Sequence, residues 1–298
     1  MILCLAANPS IDRLFEIERL RPGGVHRPES FVQVAGGKGV NVARAAAALG
    51  AEVQVLAILA GHAGRWLAEE LGAAGISVDA VWVEGETRSS LSVADRAGGG
   101  LTEFYERGPE VSPGAWAELA ALARERSSGR DWLTVSGSLP AGASREGYRR
   151  LSAACPLALD STEPAPADVD LIKVNAAEAA RLTGADTGSA DGALTAAREL
   201  RRGAAAAAVT RGDEGAVLVT EDGSALTGAL DASGRYPVGS GDAFLAGLVV
   251  ARAAGGGWVD ATKLALGAAA ANAAVPGAGR FSRDDAERLA GRAVVSSI

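Results

Sequence analysis

Short aliphatic runs alternate with longer alanine-rich stretches along most of the chain. Residues 2–6, 52–59, 132–136, 157–160, 171–174, 206–210 and 216–220 are apolar or β-branched, bounded by polar residues or glycine, and predict buried strands. Residues 39–49 and 64–74 space their apolar positions at helical intervals. Strand, helix and strand repeated in this way predict a mostly parallel sheet covered by helices on both faces. Ligands of such sheets bind at the carboxyl ends of the strands.

Two segments break the rhythm. Residues 13–34 and 87–107 alternate polar and apolar positions as strands do, and Gly98 to Gly100 supplies a hairpin turn. They predict a small antiparallel sheet made of two separated insertions, either projecting as a lid or forming an extra edge of the main sheet. The short patches at 127–129 and 255–257 read as loops, and no long linker or internal repeat divides residues 1–298, which read as one domain.

The chain has 298 residues with 48% hydrophobic and 22% charged content, enough for a substantial core. Aromatic residues make up only 4%, against 39 glycines, so helix and sheet must meet through small side chains. A net charge of −7 excludes a general binder of nucleic acid. Cys4 and Cys155 lie far apart in apolar surroundings and read as reduced core residues. No secretory leader opens the sequence, which points to the cytoplasm. The uncharged stretch 264–279 contains Asn272 and Pro276 and is shorter than the roughly 20 apolar residues of a membrane span; it reads as a packed helix.

The residues with chemical content cluster in two glycine-rich turns. Gly239-Ser240-Gly241-Asp242 runs directly into a helical pattern, so backbone N–H groups and the positive helix end face the turn, as an anion requires. Asp242 is there either a plain cap of the helix or a base beside an anion hole. Gly36-Gly37-Lys38-Gly39-Val40-Asn41 opens a second helix. It matches neither GxxxxGK[ST] nor GxGxxG; with Asp12 after the first strand, its lysine and amide suit a polyhydroxyl ligand. His26 and His62 form no metal pair by spacing, His26 being either a surface group or a phosphate contact. Asp284 and Asp285 read as caps of the last helix.

Asn8 to Asp12, GGKGVN, TEFYERGPEVSP, SGSLPAG, KVNAAE, TRGDEGA and GSGDAFLAG stand in the order and spacing of a PfkB-type, ribokinase-like sugar kinase. The resemblance covers nearly the whole chain and is greatest to the branch of 1-phosphofructokinases and tagatose-6-phosphate kinases. It implies a three-layer α/β/α domain with a small lid sheet. It also implies transfer of the ATP γ-phosphoryl group to a hydroxyl of a ketohexose monophosphate, with fructose 1-phosphate first and tagatose 6-phosphate second. A 6-phosphofructokinase, a free-sugar or nucleoside kinase and a non-catalytic sensor are the rivals.

By the same resemblance Asp242 is the catalytic base and Gly239, Ser240 and Gly241 its anion hole. Asp12, Gly37, Lys38 and Asn41 match the sugar site, while Arg88, with Arg27 and Ser138, matches the grip on the substrate's phosphate. Lys173, Asn175, Thr210, Gly212, Gly215, Ala269 and Asn272 match nucleotide positions. Asn175 and Glu178 match the motif that holds Mg2+ through water. Expected partners are the phosphosugar, ATP and a second copy of the chain paired through the lid, with no nucleic acid and no membrane. The chain departs from the family pattern at Pro237, at Val174 and in the turn after Asp160.

Overall fold

The computed structural model describes residues 1–128, 131–143, 146–151, 153–166 and 168–298. Gly129, in the expected loop 127–129, lies outside them. The strands are β1 (Ile2–Ala6), β2 (Ser10–Ile17), β3 (Ser30–Gly36), β4 (Val53–Ala60), β5 (Ser77–Val83), β6 (Arg88–Asp95) and β7 (Gly100–Tyr105). They continue with β8 (Trp132–Ser136), β9 (Leu157–Asp160), β10 (Leu171–Asn175), β11 (Ala206–Thr210), β12 (Ala216–Val219), β13 (Ala225–Ala229) and β14 (Val294–Ser297). The helices are α1 (Lys38–Ala48), α2 (Gly61–Ala73), α3 (Pro113–Arg126), α4 (Ala176–Thr183), α5 (Ala190–Leu200), α6 (Ser240–Ala253), α7 (Trp258–Ala273) and α8 (Arg283–Ala290).

Ten strands form the main sheet in the order β14-β13-β12-β11-β10-β9-β8-β1-β4-β5. From β5 to β11 every pairing is parallel, while β12, β13 and β14 continue the sheet antiparallel. Period-two geometry sends alternate residues to opposite faces. Ile2, Cys4 and Ala6 of β1 pack with α1, α6, α7 and α8, whereas Leu3 and Leu5 pack with α3 and α5. The result is the expected helix–sheet–helix layering. The expected helix at 264–279 is the second half of α7, which stops before Pro276. Among the described residues no helix is long and apolar enough to cross a membrane.

The two insertions form a separate four-stranded sheet, β3-β2-β6-β7. It is mixed and not antiparallel as expected: the β2–β3 and β6–β7 hairpins are antiparallel, but β2 and β6 pair parallel. The reason lies in where the segments leave the body. β2 follows β1 and β6 follows β5, two strands that point the same way, so both insertions depart in one direction. The last helix is capped by the Ser282 hydroxyl, which accepts the Asp285 N–H at 3.1 Å; Asp284 and Asp285 themselves sit in its first turn.

Candidate active site

The parallel strands β1, β8, β9, β10 and β11 all end on one edge of the main sheet, and the first turns of α1, α4 and α6 open there too. Between this edge and the inner face of the small sheet lies a cavity of about 820 Å³. Asp12, Gly37, Lys38, Asn41, Arg88, Ser138, Glu178, Gly239 and Asp242 all line it. Residues separated by two hundred positions in sequence thus share one space.

Both glycine-rich turns enter their helices through a residue that only glycine suits. Gly37 caps α1 at φ 86° and Gly239 caps α6 at φ 81°, a region costly for other residues. At Gly239 a Cβ would also meet the Ala278 Cβ at 2.5 Å. The Ser240 N–H is turned inward onto the Pro237 carbonyl at 3.0 Å. The Gly239, Gly241 and Asp242 amides have no protein acceptor among the described residues, so of the expected anion-hole amides only that of Ser240 is already taken.

Asp242, in the first turn of α6, is 5% exposed. Asn41 Nδ2 donates to its Oδ2 at 2.8 Å. Burial, followed by repulsion from Asp160, pushes its carboxyl up to about 7 despite attraction from Lys173 and Lys38. Asp160 shows the opposite balance. Burial disfavours its charge, but Lys173 and Lys38 outweigh burial and hold its pKa below the usual carboxylate range.

Lys38 donates to Glu178 Oε1 at 2.9 Å and to Asp160 Oδ1 at 3.2 Å. Burial opposes its charge, yet Asp160, Asp242 and Glu178 together raise its pKa. It lines the cavity, as expected of a sugar-site residue, and is paired with both carboxylates there. Lys173, expected at the nucleotide, is buried beneath the Gly239–Asp242 turn and donates to Asp160 Oδ2 at 2.9 Å. Asn175 accepts the Glu178 N–H at 2.8 Å while Glu178 Oε2 accepts the Asn175 N–H at 3.0 Å, a capping box that starts α4.

The opposite wall belongs to the small sheet. Asp12 Oδ1 accepts from the Ser10 and Ser90 hydroxyls, each at 2.5 Å, and its Oδ2 from the Gly37 N–H at 3.2 Å. Arg88 Nε donates to the Asn8 carbonyl at 3.2 Å, and Asn8 Nδ2 reaches Ser138 Oγ at 3.4 Å. Burial lowers the Arg88 pKa while Asp12, Tyr105 and Glu106 counter it, so the guanidinium stays charged. Among the described residues no carboxylate lies within ion-pair distance of Arg88.

Arg27 does not join this group. It is exposed in the connection between β2 and β3 and lines no part of the cavity. The hairpin register pairs Ser10 with Gly36 at the site and Glu16 with Ser30 at its far end. At about 3.3 Å per residue that connection stands about 20 Å away. Arg107, which the motif reading passed over, lines the cavity instead.

The expected nucleotide positions lie outside the cavity. Thr210 ends β11, and Gly212 and Gly215 shape the turn into β12, closed by the Arg211 N–H on the Gly215 carbonyl at 2.8 Å. Ala269 is half-buried on α7. Asn272, one helical turn on, is fully buried: its Nδ2 donates to the Val238 carbonyl at 2.9 Å and to Ser240 Oγ at 3.2 Å, and its Oδ1 accepts the Gly279 N–H at 2.9 Å. It ties down the Gly239–Asp242 turn from behind.

The three-layer α/β body with its separate small sheet is a ribokinase-like fold, and its cavity holds a buried carboxylate beside open amides at a helix start. The profile of the pfkB family carbohydrate kinases matches residues 5–285, and the chain belongs to that family. A 1-phosphofructokinase of Haloferax volcanii is 36% identical over 274 residues, covering 89% of this chain and 88% of the relative. The ATP-dependent 6-phosphofructokinase isozyme 2 of Mycobacterium tuberculosis is 28% identical over 97% of this chain and 88% of its own. The phosphofructokinase-2 of Escherichia coli, in complex with substrates and products, superposes with a TM-score of 0.88 at 26% identity over 97% of both chains. The protein is an ATP-dependent sugar kinase, a phosphotransferase acting on a hydroxyl.

Proposed function

We propose that the chain transfers the γ-phosphoryl group of ATP to a hydroxyl of a ketohexose monophosphate, with fructose 1-phosphate giving fructose 1,6-bisphosphate. The observation that carries this reading is that Asp242, a carboxyl pushed up to about 7, shares one cavity with Arg88, a cation without a carboxylate partner among the described residues. A base with a pKa near neutrality accepts a hydroxyl proton efficiently. A phosphosugar needs a cationic fork at its other end. The 36% identity to a 1-phosphofructokinase favours fructose 1-phosphate over fructose 6-phosphate or tagatose 6-phosphate.

In this mechanism Asp12, held by two serines, and Asn41 orient the sugar hydroxyls, and Arg88 with Ser138 takes the existing phosphate. Asp242 accepts the proton of the attacking hydroxyl, and the Gly241 and Asp242 amides face the charge of the transferring group. ATP enters along the β11–β12 turn and α7. Glu178 and Asn175 suit a hold on Mg2+ through water: each Glu178 oxygen accepts one hydrogen bond, leaving acceptor capacity for metal-bound water. Among the described residues no three His, Cys, Asp or Glu gather as a protein cage, and an ion carried by phosphates keeps most of its waters. When bound, the ion neutralises phosphate charge.

The small sheet serves as a lid that excludes water, the competing acceptor. Its outer face exposes Phe31 and Phe104, at 67% and 55%, and a second copy covers them in a homodimer. Free thiols at Cys4 and Cys155 fit a reducing, ATP-supplied cytoplasm.

ADP release with fructose 1-phosphate, fructose 6-phosphate, tagatose 6-phosphate, fructose and ribose tests the reading. The expected result is the highest kcat/KM for fructose 1-phosphate and values lower by about 100-fold or more for the free sugars, the range in which loss of a charged anchor falls. Equal turnover of fructose or ribose contradicts the phosphosugar assignment, and absence of ADP release with all five contradicts catalysis.

A further inference from the structure

Asp160 is the end of β9 and is 0% exposed. Its two oxygens face lysines from two other elements: Oδ1 accepts from Lys38 of α1 at 3.2 Å and Oδ2 from Lys173 of β10 at 2.9 Å. Lys173 is itself 3% exposed, and its ammonium lies so close under the Gly239–Asp242 turn that a Cβ on Gly241 would meet Nζ at 2.9 Å. Lys38 continues from Asp160 to Glu178 at the start of α4. One buried carboxylate at the end of β9 therefore ties the start of α1 and the middle of β10 to the turn that carries Asp242.

Stability alone does not account for this cluster. Apolar residues of similar volume generally replace a buried ion pair without loss of stability, whereas removing one partner leaves a costly buried charge. The arrangement does suit phosphoryl transfer, where charge spreads over three oxygens and fixed cations act without reorganising. A lysine on a flexible four-carbon stem supplies such a cation only if something holds it.

We propose that Asp160 is a positioning residue for phosphoryl transfer: it fixes the Lys38 and Lys173 ammonium groups against the Gly239–Asp242 turn, from α1 and from β10. This rests on Asp242 being the base. The charges facing Asp242 are Asp160, Lys173 and Lys38, with the Asn41 amide bonded to it. Loss of Asp160 removes the anion and frees the lysines to act on Asp242 unopposed.

The test compares Asp160→Asn with the charge-balanced double variant Asp160→Asn/Lys173→Met, reading folding by circular dichroism, kcat, both KM values and the pH profile of kcat. The double variant is expected to fold and to lose about 100-fold in kcat, the scale of a lost preorganised donor, with the sugar-phosphate KM within about threefold. In Asp160→Asn the acid limb of the profile moves to lower pH. A double variant with kcat within twofold of the parent, or a folded single variant whose acid limb stays in place, overturns the proposal. If Asp160→Asn does not fold, the double variant decides. Asp242→Asn separates the two claims: if it abolishes turnover while the double variant is fully active, only the positioning role falls.

Discussion

At the scale of single residues, Asp242 couples activity to stability in opposite senses. Its folded carboxyl, at about 7, lies above the ordinary value of an exposed aspartate. As the base it must be ionised, so kcat should rise with pH through about 7 and fall on the acid side. For stability, a raised folded pKa contributes fully below the unfolded value, and the contribution is lost as pH rises through the folded one. Asp242→Asn should therefore show a higher Tm than the parent at pH 8, with the difference gone near pH 4; an equal Tm at both pH values refutes the buried-charge account. Arg88→Ala should raise the KM of the sugar phosphate by about 10-fold or more and leave that of ATP within about twofold. Arg88→Lys should recover only part, because a point charge does not reproduce the guanidinium fork.

That Asp12, Asn41 and Asp242 gather in one cavity was legible because each sits in or beside a local motif that a glycine or a strand end anchors, while the place of Arg88 there came from the family resemblance. The Lys173–Asp160 pair was not, since its partners are 13 residues apart and meet only through the β9–β10 neighbourhood. A lysine inside the apolar run LIKVN was the signal available: a buried cation needs a carboxylate partner. The distance of Arg27 from the cavity was not legible because a sequence shows that a hairpin exists, not which of its ends faces the site.

At the scale of elements, the parallel core was legible from alternation of apolar runs and alanine-rich stretches, whereas the direction of the β2–β6 pairing was not. That direction depends on both insertions leaving parallel strands of the main sheet, a tertiary fact. Small residues set the helix contacts. α6 crosses α7 where Gly247 faces Ala265, and a Cβ added at Gly247 would lie 2.5 Å from the Ala265 Cα. Gly247→Val should cost about 1–3 kcal/mol or more in urea unfolding, as overpacking of a close-packed core does. A change below about 0.5 kcal/mol shows that the helix pair gives way without strain.

At the scale of the whole molecule, a net charge of −7 coexists with two anionic substrates. In the proposed mechanism open backbone amides, Arg88 and a pair of anchored lysines would receive them locally, so the global charge bears on solubility and not on the site. The apolar outer face of the small sheet belongs to this scale as well. The parent should sediment as a dimer and Phe31→Asp/Phe104→Asp as a monomer with reduced activity; a monomeric parent removes the pairing. The most direct test of the central claim is steady-state ADP release with fructose 1-phosphate by the parent and by Asp242→Asn at pH 8. A loss of kcat of about 10²–10⁴-fold in a folded Asp242→Asn variant is the predicted result. A variant that keeps more than about a tenth of the parent rate contradicts the role of Asp242 as the base.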